Sequence, residues 1–114
     1  MLTAIEDFID TATEEQKELL FKLTDTVAEE TKLVDKINGI YGSKKEGIYS
    51  EGGAVTLCEN DEDAFLIAFK PKQELEKVRE KIKGYMEKAI ELGMGHLGLI
   101  QRNYEFYVKK PLPK

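Results

Sequence analysis

The sequence predicts an α+β fold: a two-layer sandwich in which an antiparallel meander sheet carries helices on one face, in the order α-α-β-β-β-α-β. Three observations predict it. Two long stretches, 14–35 and 73–92, repeat apolar residues at helical spacing. Between them, 47–69 holds short apolar runs separated by a glycine pair and an acidic cluster, the pattern of consecutive strands and turns. Finally, "NYEFYV", 103–108, places Tyr104, Phe106 and Val108 on alternate positions, as in a strand covered on one side.

Each element follows from local chemistry. Thr3 and Glu6 form a capping-box pattern, and Ile5, Phe8 and Ile9 share one helical face, which opens a short helix over 3–10. Thr13 and Gln16 repeat the pattern before the second helix, 14–35, whose stripe is Leu19, Leu20, Leu23, Val27 and Val34. Gly39 and Gly42 in "INGIYG" are read as its end. "GIYS", 47–50, and "AVTLC", 54–58, joined through "EGG", read as a hairpin. "ENDED", 59–63, is an acidic turn leading into "AFLIAF", 64–69, which is apolar on both faces and is therefore placed as an interior strand. Pro71 cannot extend that strand and precedes a helix start. Leu75, Val78, Ile82, Tyr85, Met86 and Ala89 mark the helix over 73–92, with Gly84 at a close helix–sheet approach. A right-handed crossover would carry that helix to a last strand lying parallel in the same sheet.

Composition sets the frame. A chain of 114 residues is expected to form a single domain, 1–114, with a core that needs neither disulfide nor metal. There is no run of 18 apolar residues, so no membrane span is expected. The acidic opening "MLTAIEDFID" lacks the pattern of a signal peptide, and the single cysteine, Cys58, cannot form an internal disulfide; both point to a cytoplasmic protein. The net charge of −5 is polarised, with −6 over 1–37, −3 over 38–70 and +4 over 71–114. Such a chain can steer a charged partner or associate with itself, which leaves an oligomer open. The basic residues of 71–114 are interleaved with Glu74, Glu76, Glu80, Glu87 and Glu91, which argues against nucleic acid.

Candidate chemistry is sparse. "LGMGHLGL", 92–99, carries Gly93, Gly95 and Gly98 in the spacing G-x-G-x-x-G. A dinucleotide cradle needs a strand before these glycines and a helix after them. Here a helix is expected to end near Leu92 and a strand to begin after Arg102, so the stretch reads as a bend with Gly93 as a left-handed helix cap. His96, the single histidine, reads as a polar loop residue and Cys58 as a buried small one. Tyr41, Tyr49, Tyr104 and Tyr107 would line a shallow pocket if they share one sheet face, with His96 as the candidate polar group of the same ligand site. Glu6 with Asp10, and Glu14 with Glu18, are i,i+4 carboxylate pairs on helix surfaces that could hold weakly bound iron.

"IEDFI", 5–9, followed by "EEQKELLFKL", 14–23, resembles the opening of the YdhG-type bacterial domains, and "REKIKGY", 79–85, and "KKPLP", 109–113, are similar to that family too. The resemblance implies a frataxin-like α+β shape and a cytosolic, non-enzymatic domain with iron on acidic residues; it transfers no defined ligand motif. Neither an acid–base pair, a triad nor a metal motif is assembled in the sequence. The expectation is a small cytosolic, non-enzymatic binding or protein-interaction domain without a cofactor, acting on a protein partner or small ligand through a sheet face or the acidic helix face. The alternative is an iron-carrying accessory protein using Glu6, Asp10, Glu14 and Glu18.

Overall fold

The computed structural model describes residues 5–113. Helices α1 (Ile5–Thr11) and α2 (Glu14–Gly42) are followed by a single 3-10 turn, Ser43–Lys45. Strands β1 (Gly47–Glu51) and β2 (Ala54–Cys58) come next, then helices α3 (Asp61–Glu91) and α4 (Gly98–Val108). The fold is α+β, but its sheet has two antiparallel strands, and the order is α-α-β-β-α-α. The three-stranded meander, the sandwich and the crossover to a last strand are not formed among the described residues.

The expected cap of α2 is present. The Gln16 N–H donates to Thr13 Oγ1 at 3.1 Å, and the Thr13 N–H donates to Gln16 Oε1 at 2.9 Å. The matching pattern at Thr3 lies outside the described residues. At its other end α2 runs past 35 and through Gly39, the first glycine read as a stop, and ends at Gly42, the second. Ile37 and Ile40 continue the apolar stripe and are buried, and that burial exceeds the roughly 1 kcal/mol cost of a helical glycine.

The hairpin forms as the glycine pair dictates. Gly52 and Gly53 have φ of 55° and 86°, the two left-handed positions of a tight turn whose twist matches that of the strands. Ile48 pairs with Leu57, Tyr49 with Thr56 and Ser50 with Val55.

The largest departure is α3. "ENDED" begins a helix: Asn60 Oδ1 accepts the Asp63 N–H at 2.9 Å, and Asp63 Oδ2 accepts the Glu59 N–H at 3.0 Å. This near-reciprocal cap satisfies amides that a new helix leaves open. "AFLIAF" is therefore helical, with Ala64 and Ala68 buried one turn apart while Phe65, Leu66 and Phe69 stay exposed. Pro71 sits inside this helix, where a proline costs about 3 kcal/mol; its ring is buried, which offsets part of that cost. Gly84 does not mark a close approach, because a Cβ there would meet nothing within 4 Å.

The last segment is also helical. Gly98, Ile100, Tyr104 and Val108 form the buried side of α4, while Phe106 is 57 % exposed. Positions 104 and 108 share a face under either period; Phe106 would join them only in a strand.

The chain divides into two compact units: residues 1–28 with 78–114, and residues 29–77. Both α2 and α3 are continuous across that division. In the first unit, Leu20, Leu23, Ile82, Met86 and Ile100 on the helices are buried, with Met94 and Leu97 of the α3–α4 loop. In the second, Ile37, Ile40, Cys58, Ala64 and Ala68 form a core cluster, with Tyr41, Tyr49, Ile67 and Leu75 packed against it.

Candidate interaction surfaces

The five residues expected to share a ligand site are distributed over both units. Tyr41 and Tyr49 belong to the second, and His96, Tyr104 and Tyr107 to the first. Since α4 replaces the last strand, no common sheet face carries them. Tyr49 is half-buried on the inner side of the hairpin. Tyr104 is buried in α4, and the Tyr107 ring meets the edge of Phe106 at 5.1 Å. His96 lies exposed in the α3–α4 loop, its ring edge-on to Phe8 at 5.6 Å.

The glycine motif is a helix cap followed by a helix start. The Met94 N–H donates to the Ala89 carbonyl at 2.8 Å and the Gly93 N–H to the Ile90 carbonyl at 3.1 Å, with Gly93 at φ 73°. These are the two bonds of a Schellman motif. Gln16 Nε2 donates to the Leu92 carbonyl at 2.6 Å, closing another open end. Gly95 permits tight packing, since a Cβ there would stand 3.2 Å from Ile90 Cδ1. The expectation of a following strand is corrected here: Gly98 opens α4, behind Leu97, whose side chain makes no capping bond. The loop joins two helices, so the strand–loop–helix order of a dinucleotide cradle is not met.

Cys58 is fully buried, and its Sγ lies 3.6 Å from the Ile40 carbonyl. Of the carboxylates considered for iron, Glu6 and Asp10 lie exposed on α1. Glu14 pairs with Lys17 at 3.6 Å and Glu18 with Lys22 at 3.0 Å. The hydrogen bond to Glu18 holds the Lys22 ammonium above its ordinary pKa. Among the described residues, no group of three or more His, Cys, Asp or Glu side chains is placed to hold a metal ion.

What the sequence reading missed is the surface of the second unit. Of the eight exposed large hydrophobic side chains among the described residues, six belong to it: Ile48, Val55, Leu57, Phe65, Leu66 and Phe69. They form two features. One is a shallow groove of about 630 Å³ lined by Tyr41, Asp61, Glu62, Phe65 and Leu66. Lys72 donates to the Tyr41 hydroxyl at 2.8 Å, with its ammonium 4.8 Å from the Tyr41 ring and 5.2 Å from that of Phe65. Phe69 meets Phe65 edge to face at 6.2 Å, and Lys44 pairs with Asp61. That bond raises the Lys44 pKa. The groove thus has an aromatic floor and both signs of charge at its rim.

The second feature is the hairpin. Cys58 is buried and Tyr49 packs on the core, so alternation turns Ile48, Ser50, Val55 and Leu57 outward. Reading "AFLIAF" with a period of 3.6 behind an Asn60–Asp63 cap would have found the first feature, and the phase of the hairpin against Cys58 the second. Among the described residues no helix is long and apolar enough to cross a membrane. Comparison with protein-family models, curated proteins and solved structures gives no match for this chain.

Proposed function

We propose that this protein is a small non-enzymatic binding module whose working surface is the second unit. One observation carries the reading: that unit buries five hydrophobic residues and exposes six large ones. Scattered single hydrophobics are ordinary on a protein surface, but six large ones within 49 residues of a charged chain, arranged in two features, are the kind of exposure that marks a contact site. The groove supplies aromatic anchors, Tyr41 and Phe65, of the kind that dominate binding energy, with Phe69 edge-on to Phe65 beside it and Asp61, Glu62 and Lys72 at hand for orientation.

The test is a comparison of immobilised variants in extract of the source cell. Phe65→Ser with Leu66→Ser should lose a protein that the parent chain retains, while Phe21→Ser with Phe106→Ser, in the first unit, should keep it. Equal retention by both double variants would refute the reading. Circular dichroism melts establish that both are folded.

A further inference from the structure

We propose that the outward stripe of α3 pairs with the same stripe of a second copy of this chain, the two helices lying antiparallel. The inference rests on the reading of the groove as a contact site and names its occupant. Glu62, Phe65, Leu66, Phe69 and Lys72 recur at helical spacing along one side of α3. Phe65, Leu66 and Phe69 are exposed, while Ala64 and Ala68 on the opposite side are buried. The stripe thus has an apolar middle, a carboxylate at one end and an ammonium at the other, about 15 Å apart along the helix. The Lys72 ammonium stays on this surface, 5.2 Å from the Phe65 ring and bonded to the Tyr41 hydroxyl.

The order of charge along the stripe selects the occupant. In a two-fold contact residue i meets residue j while j meets i. For antiparallel helices with the axis at Ile67, positions equally far on either side of it meet. Glu62 then faces Lys72 of the second copy, and Phe65 faces Phe69, each pair occurring twice. Asp61, whose charge is balanced by Lys44, falls opposite the neutral Gln73. Opposite charges therefore meet at both ends, with aromatic rings between them. Laid parallel on its copy, the stripe would set Glu62 against Glu62 and Lys72 against Lys72, which repel. A different protein would have to carry this inverted order, and a second copy already does. Among the described residues neither Glu62 nor Lys72 is in an ion pair, so both charges are open to a partner. The rings supply the contact area and the exposed charges fix its register. Few large side chains make a small interface, so the association should be concentration-dependent.

Sedimentation equilibrium of the full chain from about 10 μM to 1 mM tests this, in the range where small interfaces dissociate. The weight-average mass should rise toward the dimer. Glu62→Lys and Lys72→Glu should each weaken association about tenfold, because either change alters both symmetric pairs. An equimolar mixture of the two variants should regain it, since one chain then offers cations to the carboxylates of the other. The protein carrying both reversals should match the parent, and Phe65→Ser with Leu66→Ser should remain monomeric. Circular dichroism melts establish that each variant is folded. A parent chain that is monomeric at every concentration would overturn the inference, as would a dimer that neither reversal weakens or that mixing fails to restore. Capture of a different protein by a monomeric chain, lost on the Phe65 and Leu66 substitutions, would overturn this inference and leave the reading of the groove standing. A monomeric chain whose captured proteins ignore both substitutions would overturn the two together.

Discussion

The two units bury their apolar residues in opposite proportions. The first, with no hairpin strand among its described residues, covers Leu23, Ile82, Met86, Met94, Leu97 and Ile100 completely and leaves just Phe21 and Phe106 as large exposed hydrophobics among them. The second covers two isoleucines, two alanines and a cysteine, and exposes six large side chains. The volume in the second unit is on the outside: Ala64 and Ala68 face inward on α3 while Phe65, Leu66 and Phe69, on the same two turns, face out. Apolar burial is the main driving force for folding, so stability concentrates in the first unit. The second retains hydrophobic surface that folding does not use.

The sharpest test of that contrast is a pair of truncations. Leu23→Ala should destabilise the protein by about 2–5 kcal/mol, as expected for a fully buried leucine. Leu57→Ser should change stability by less than about 0.5 kcal/mol. Denaturant titrations check both, and similar losses would erase the distinction between core and contact surface.

The hairpin of the second unit depends on its turn. Gly53→Ala forces a side chain onto φ 86° and should cost about 1–2 kcal/mol, read as faster hydrogen exchange at 48–57 and a lower unfolding midpoint. Unchanged protection would mean that the turn is not what holds the strands.

A smaller effect of opposite sign is expected in both units alike. Gly39 and Gly84 are helical, and a Cβ at either meets nothing within 4 Å. Gly39→Ala and Gly84→Ala should each stabilise by about 0.5–1 kcal/mol, through helix propensity alone. A thermal-melt series that found either substitution destabilising would reveal packing at that position.

The smallest effect concerns the tether of the hairpin to α2. Lys36 Nζ lies 2.7 Å from Glu51 Oε1, and this hydrogen bond raises the Lys36 pKa above its usual 10.5. A raised lysine contributes stability in full below pH 10.5 and loses it as pH climbs through the elevated value. Because both side chains are substantially exposed, Lys36→Met should cost only a few tenths of a kcal/mol near neutral pH. The gap between the two proteins should close as pH climbs beyond 10.5 in pH-dependent denaturation; a gap that widens there would contradict the assignment.

Where the sequence was legible, the determinant was local. Gly52–Gly53 dictates the turn, Gly93 the left-handed cap, and Thr13 with Gln16 a capping box, because each acts within a few residues on backbone groups that must be satisfied. The errors share a different cause. An apolar run such as 64–69 fits a buried strand or an amphipathic helix equally until the surroundings decide which side chains are covered, and an alternating triple such as Tyr104, Phe106, Val108 shares its end positions between the two periods. Of the candidate site residues, the tyrosines were sought as one set on a sheet whose third and fourth strands are helices, so the set divides between units.

By itself, then, the sequence determined the Thr13–Gln16 capping box, the Gly93 cap, the hairpin turn, the α+β class and the burial of Cys58, all of which follow from backbone satisfaction, glycine conformation or the apolar character of a small side chain. Only the tertiary structure decided that "AFLIAF" and "NYEFYV" are helical and that Ile48, Val55, Leu57, Phe65, Leu66 and Phe69 remain exposed. The reason is physical: hydrophobicity says that a side chain gains from being covered, and only the packing of distant segments decides which side chains are.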